Sequence, residues 1–128
     1  MKDSNVKVLD EKDNEFVTLL NSVGITKNIA KALIMINNAK EATSREIELG
    51  AALRQPDVSI ATKEMLRLGW ISVTETKTKG NKGRPKKIYT LVKSITDIVN
   101  DLEKTAATKL ADTTATLNRL KATIESLK

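Results

Sequence analysis

The residues best suited to chemistry are the cations in and around one short stretch, KGNKGRPKKIYTL, at 79–91. Between residues 76 and 96 the chain has seven basic residues and no acid. They are Lys77, Lys79, Lys82, Arg84, Lys86, Lys87 and Lys93. Because the whole chain carries a net charge of +6, removing these seven leaves −1 for the rest. A charge run is usually a solvated surface, but cations this localised favour the binding of nucleic-acid phosphates.

Other kinds of chemistry lack the residues they need. The chain has no cysteine and no histidine, which excludes disulfides, thiol nucleophiles, imidazole bases and nearly all zinc, copper and haem sites. Glu46 and Glu48 would point about 200° apart on a helix, so they cannot act as a carboxylate pair. No phosphate-binding loop has the required spacing. We therefore expect no enzyme activity, no cofactor and no metal.

The composition is typical of an intracellular globular domain. The chain has 128 residues, of which 40% are apolar and 30% charged, enough for one hydrophobic core. Its three aromatic residues leave that core to aliphatic side chains, which favours packed helices. The N-terminus lacks the apolar centre of a signal peptide, and no apolar run is long enough to span a bilayer. We expect a cytoplasmic protein with no membrane partner, associated with the nucleoid if it binds DNA.

Periodicity predicts four helices before residue 69. Residues 10–22 and the stretch TKNIAKALIMINNAK have apolar faces at helical spacing. Next, Thr43 and Glu46 are spaced as a capping box at the start of a short helix. Pro56 is predicted at the first position of another helix, which Gly69 ends. Two short helices joined by a tight turn predict a helix-turn-helix.

The second helix of this pair has an apolar residue on its polar side. Projection of residues 57–68 at ~100° per residue places Ile60 beside Ser59, Lys63 and Arg67. A single isoleucine on a surface is common. A contact with thymine methyl groups in a major groove is the functional alternative, and both interpretations remain open at this point.

Alternating apolar and polar residues predict two strands around the basic stretch. WISVTETK at 70–77 and KIYTLV at 87–92 both have this pattern. Between them lie Gly80, Asn81, Gly83 and Pro85, which favour a turn. The basic stretch is therefore predicted to be the tip of a β-hairpin and not a linker.

A long helix is predicted from Ile95 to Leu127, about 50 Å at ~1.5 Å per residue. Its apolar residues recur at heptad-like spacing with one irregularity. The predicted dimerisation residues are Ile95, Val99, Leu102, Ala106, Leu110, Leu117, Leu120, Ile124 and Leu127. This narrow seam needs a partner, either the chain's own domain or, as we favour, a second copy in a parallel or antiparallel coiled coil. Residues 6–22 could also join such a contact.

These elements predict a mainly α fold with a small β-hairpin: a winged helix-turn-helix domain at 1–93, followed by a long C-terminal dimerisation helix at 94–128. The motifs ATSREI, QPDVS, LGWI and KGRPKKIYTL, within residues 24–92, resemble archaeal winged-helix transcriptional regulators of the ArsR, MarR and TrmB type. Thr62 departs from the resemblance, since a large aliphatic residue is usual there. The missing Cys and His argue against metal sensing, and the chain has no room for a sugar-sensing domain.

The resemblance implies which residues meet double-stranded DNA. The recognition-helix residues would be Arg54, Gln55, Asp57, Ser59, Ile60 and Lys63. The wing residues would be Lys77, Lys79, Lys82, Arg84, Lys86 and Lys87. Arg84 lies in a Gly-Arg-Pro tripeptide similar to an AT-hook, so it would contact either a phosphate or a narrow minor groove.

Three functions fit this sequence. The first is a homodimeric transcriptional regulator that reads a DNA sequence with the recognition helix. The second is an architectural, chromatin-type protein that coats DNA with little sequence preference. The third is a winged-helix adaptor between proteins, against which the localised charge argues.

Overall fold

A computed structural model describes residues 8–76 and 86–127 of the chain. The chain divides into two compact units, Met1–Lys93 and Ser94–Lys128. The first unit contains α1 (Glu11–Ser22), α2 (Lys27–Ala39), β1 (Glu41–Thr43), α3 (Ser44–Ala51), α4 (Gln55–Arg67), β2 (Ile71–Thr76) and β3 (Lys86–Leu91). The second contains one helix, α5 (Ile95–Leu127).

The centre of the first unit is α2, which packs against α1, α3 and α4. Thr26 caps its N-terminus by accepting a hydrogen bond from the backbone of Ile29 at 3.3 Å. Six of its residues are buried, and Leu33 and Ile36 are completely so. An apolar surface this wide allows one helix to serve as the common core for its neighbours.

The buried carboxylate of Asp13 forms hydrogen bonds both at the start of α1 and with α2. Asp10 and Asp13 form a capping box, each side chain accepting a hydrogen bond from the other's backbone. Asp13 also accepts a hydrogen bond from the side-chain amide of Asn38 on α2, at 3.1 Å. The carboxylate thus ties α1 to α2 and stabilises their packing.

The sheet has three antiparallel strands in the order β1-β3-β2. The predicted partnership of β2 with β3 is confirmed, with Ile71 opposite Leu91 and Thr76 opposite Lys86. The first strand was not predicted, and it pairs Glu41 with Thr90 and Thr43 with Ile88. Three residues are too few to show a period, and this pairing depends on residues distant in sequence.

In the second unit, the helix predicted from Ile95 to Leu127 is confirmed. Ser94 caps it, because its hydroxyl oxygen accepts a hydrogen bond from the backbone of Asp97 at 3.1 Å. The predicted fold class is therefore confirmed: helices with a small antiparallel sheet, followed by a long C-terminal helix. Within the described residues, no helix is long and apolar enough to cross a membrane.

Candidate nucleic-acid interface

The helix-turn-helix is built from α3, a short turn and α4. The predicted capping box is present: the hydroxyl of Thr43 accepts from the backbone of Glu46 at 3.2 Å, and the Glu46 carboxylate accepts from the backbone of Thr43 at 2.9 Å. The helix ends at Ala51, and its C-cap residue Ala52 has a left-handed backbone with φ of 56° and ψ of 47°. A glycine would adopt this conformation without the steric cost of a Cβ. A sharp turn here lets α4 begin three residues later.

The start of α4 differs from the prediction by one residue. Arg54 is the N-cap residue, with extended backbone, so Gln55 is the first helical residue and Pro56 the second. Proline is tolerated at both positions, because no backbone N–H in the first turn has a partner within the helix. The side chain of Arg54 forms an ion pair with Asp57 at 3.6 Å.

The inner face of α4 consists of Val58, Ala61, Thr62 and Met65, all buried. Thr62 is only 2% exposed, and its hydroxyl donates to the carbonyl oxygens of Val58 at 2.9 Å and Ser59 at 3.2 Å. These bonds satisfy the hydroxyl inside the helix, so threonine occupies a core position where a larger aliphatic residue was expected. Because this inner face is packed in the core, the opposite, outer face of α4 points away from the core.

That outer face contains most of the predicted recognition residues. Ile60 is 68% exposed, Lys63 is exposed one turn later, and Ser59 is half-buried beside them. Gln55 and Arg54 are exposed at the N-terminal end, while Asp57 is half-buried. The structure thus brings Ser59, Ile60 and Lys63 together on one helical face, the arrangement that base contacts in a groove require.

Arg67 belongs to the same face and was not among the predicted site residues. It lies four residues after Lys63, one turn further along α4, and it is exposed. Its guanidinium donates hydrogen bonds to both carboxylate oxygens of Glu64, at 3.0 and 2.5 Å. These bonds lower the pKa of Glu64 and raise that of Arg67. Helical projection of residues 57–68 already placed Arg67 on this face, but the resemblance did not include it among the residues that contact DNA.

A groove of about 750 Å³ lies between α4 and the residues that precede and begin α2. Its apolar lining comes from Ile25, Ile29, Ile60, Leu68 and Trp70. Lys63, Glu64 and Arg67 also line it. Ile60 is therefore not isolated on the surface, since it forms part of an apolar groove beside charged residues. This neighbourhood comes from tertiary packing, which a helical projection cannot show.

Two of the predicted wing residues lie in the described part of the chain. Lys86 and Lys87 are exposed in β3, where Lys87 is opposite Glu75 of β2. The other four, Lys77, Lys79, Lys82 and Arg84, lie outside the described residues. β3 itself is anchored by Tyr89, which is buried and pairs with Ala42 on one side and Val73 on the other. Both described lysines therefore extend from a strand held on both edges.

The predicted dimerisation residues lie along α5 and are mostly exposed. Ile95 and Leu102 are half-buried, whereas Val99 is 42% exposed and Ala106 is exposed. Further along, the exposed members are Leu110, Leu117, Leu120, Ile124 and Leu127. Ile98 is completely buried and was not among the predicted residues. In residues 8–76 and 86–127, no three acidic side chains are close enough to hold a metal ion.

Several solved structures share this fold at low sequence identity. A possible transcriptional regulator from Methanosarcina mazei matches with a TM-score of 0.63 and 16% identity, over 83% of this chain and 87% of that one. A mutant MarR from E. coli matches with a TM-score of 0.51 and 20% identity, over 89% and 88% of the two chains. A MarR family transcriptional regulator from Silicibacter pomeroyi matches at 0.52 and 12% identity, over 79% and 64%.

Comparison of sequences identifies no relative. No family model matches the chain, and no curated protein matches it. The chain is therefore similar to these known proteins in structure, at 12 to 20% identity and over most of its length. This likeness shows that residues 8–76 and 86–127 have the winged-helix fold with a long C-terminal helix.

Proposed function

We propose that this chain is a DNA-binding transcriptional regulator that acts as a homodimer. In this proposal α4 enters the major groove, and the wing, here the basic residues 77–87, contacts the phosphate backbone or the adjacent minor groove. The observation that supports it most is the outer face of α4. Ser59, Ile60 and Lys63 lie together there, outside the core.

The residue types on this face suit the reading of base edges. An exposed isoleucine offers an apolar contact to a thymine methyl group, and a lysine donates to the acceptor atoms of guanine. The ion pair between Arg54 and Asp57 leaves the Arg54 side chain 85% exposed, so it remains available to a phosphate. Phosphate contacts then position the helix, and base contacts provide the specificity.

The wing supplies the electrostatic part of the proposal. Lys86 and Lys87 are exposed at the start of β3, and the preceding residues add four more cations in sequence. Cations that neutralise phosphates release counterions, which gives affinity for DNA of any sequence. The rest of the chain is nearly neutral, so this affinity would be concentrated in the wing.

The homodimer is supported by the apolar residues of α5. From residue 106 to residue 127 every side chain is exposed, including those of four leucines and one isoleucine. A row of apolar residues at this spacing is typical of a coiled coil. Two copies would offer two recognition helices to half-sites about one turn of DNA, ~34 Å, or a multiple of it apart. We therefore expect a pseudo-palindromic target.

Capture of sheared genomic DNA from the source organism on the purified protein tests this function. Sharply enriched sites with two-fold symmetry are the result we expect. Even retention across the genome would favour the architectural alternative, because affinity would then come from phosphate contacts alone. No retention at ~0.1 M salt would contradict DNA binding and favour the adaptor.

A further inference from the structure

We infer that α5 pairs with α5 of a second copy in the antiparallel direction. The inference rests on the proposed homodimer, and it adds the orientation and the alignment of the two helices. Three features of α5 lead to it: an exposed apolar stripe, opposite net charges at its two ends, and charged residues on one flank of the stripe.

The apolar stripe gives α5 a surface to cover. Val99 is 42% exposed near its beginning, and Leu127 is 78% exposed at its end. Between them, Leu110, Leu117, Leu120 and Ile124 are each more than half exposed. Apolar side chains at heptad-like spacing are more stable packed against a second helix with the same spacing than exposed to water.

The two ends of α5 carry opposite charge. Residues 95–104 contain three acids, Asp97, Asp101 and Glu103, and one base, giving −2. Residues 119–128 contain three bases and one acid, giving +2. A parallel pair would place each end beside an end of like charge. An antiparallel pair places the acidic end of each helix beside the basic end of the other.

One antiparallel alignment pairs the apolar stripe with itself to within one residue along its whole length. With its centre between residues 111 and 112, it places Val99 level with Ile124, and Ala106 level with Leu117. Leu110 is then level with Thr113. Small residues thus face large ones, which fills the space between the helices. A parallel pair would instead stack Ala106 on its own copy and Thr113 on its own copy, leaving two thin layers.

The charged flank of the stripe favours the same orientation. Glu103 follows Leu102 and Lys121 follows Leu120, so both charges lie on the same side of the stripe. In an antiparallel pair like flanks meet, and this alignment brings Glu103 within one residue of the level of Lys121 of the other copy. In a parallel pair each flank meets the opposite flank of the other copy. That opposite flank (residues 98, 105, 109, 116 and 123) contains no acid that could pair with Lys121.

Disulfide trapping measures the orientation directly, because the chain has no cysteine of its own. Val99→Cys and Ile124→Cys are prepared separately in the full chain, then tested alone and mixed under mild oxidation. Positions 99 and 124 lie about 37 Å apart along one helix at ~1.5 Å per residue, and a disulfide needs Cα atoms within ~7 Å. We expect a covalent dimer only in the mixture.

The other outcomes overturn the inference in different ways. A covalent dimer of each variant alone would show a parallel pair. A non-covalent dimer that forms no disulfide, alone or mixed, would exclude this alignment. A mass of one chain for the unmodified protein at ~100 μM in sedimentation equilibrium would contradict the proposed homodimer itself, independently of the orientation.

Charge exchange is a second test that needs no cysteine variant. Glu103→Lys alone, or Lys121→Glu alone, places like charges together at two symmetric contacts, and we expect dimer dissociation constants about 10-fold higher. The double variant restores opposite charges and should recover most of the affinity. Equal dissociation constants for the single variants and the unmodified protein would contradict the antiparallel alignment.

Discussion

The two units of the molecule use the same residue types in opposite ways. In the first unit, Leu33, Ile36, Ile47 and Met65 are completely buried, so the apolar faces of α2, α3 and α4 cover one another. In α5 from Leu110 onward, leucine and isoleucine residues at equally regular spacing remain exposed. Periodicity therefore predicts a helix and its apolar face equally well in both units. It does not say whether the same chain covers that face.

The largest effect is expected when charged residues replace apolar ones in the stripe of α5. Leu117→Glu combined with Leu120→Glu would place four carboxylates in the proposed dimer seam. We expect association at least ~1000-fold weaker, about 4 kcal/mol, because buried charges lose their hydration. Sedimentation equilibrium should then give the mass of one chain, 14.1 kDa. Ala115→Glu with Ala122→Glu, on the opposite side of α5, is the control and should remain a dimer.

Truncating one leucine in each unit compares a buried apolar face with an exposed one. Leu33→Ala should lower the free energy of unfolding of the first unit by about 3 kcal/mol, since it leaves a cavity in a completely buried site. Leu117→Ala, at an exposed site, should change it by less than ~0.5 kcal/mol. Trp70 is the only tryptophan and is buried in the first unit, so its fluorescence during urea unfolding reports on that unit alone. Equal losses for both variants would contradict the division of roles.

Charge reversal in the wing tests the first unit's own contribution to binding. Lys82→Glu, Arg84→Glu and Lys86→Glu together should lower affinity for any duplex on the order of 100-fold, about 2.7 kcal/mol. The slope of log affinity against log salt should flatten by about 5.4, because three phosphate contacts are lost from each of the two copies in the proposed homodimer. The matched control reverses Lys12, Lys40 and Lys104, which changes the net charge equally. An identical loss in this control would show that only net charge matters.

The smallest effects are expected at the two ends of α3, and they have opposite signs. Ala52→Gly should stabilise the first unit by about 1 kcal/mol, since glycine adopts the left-handed conformation of this residue without strain. Thr43→Ala removes the capping box and should destabilise it by about 1 kcal/mol. Both are measured by urea unfolding with Trp70 fluorescence. A destabilising Ala52→Gly would contradict the account of the turn.

Local signals in the sequence predicted much of the fold. The capping box of Thr43 and Glu46, the end of α4 shortly before Gly69 and the bounds of α5 depend on neighbouring residues, so the sequence alone predicts them. The strand β1 escaped prediction because its hydrogen bonds go to residues 88–90, far along the chain. Pairing between distant segments leaves no period in a strand of three residues.

The candidate site was predictable to a similar extent. Helical projection placed Ser59, Ile60 and Lys63 on one face, and the structure brings them together there. The groove beside Ile60 was not predictable, because Ile25 and Ile29 reach it only through the packing of α2 beside α4. The wing residues Lys77, Lys79, Lys82 and Arg84 remain a prediction from charge and turn chemistry.

Selection from a library of random duplexes tests most directly the proposal that α4 reads bases. The unmodified protein, Lys63→Ala and the wing variant Lys86→Ala with Lys87→Ala are compared under the same salt. We predict one enriched sequence for the unmodified protein, a changed preference at particular base pairs for Lys63→Ala, and the same sequence at lower affinity for the wing variant. An identical preference for all three proteins, or no enriched sequence for any of them, would contradict recognition by α4.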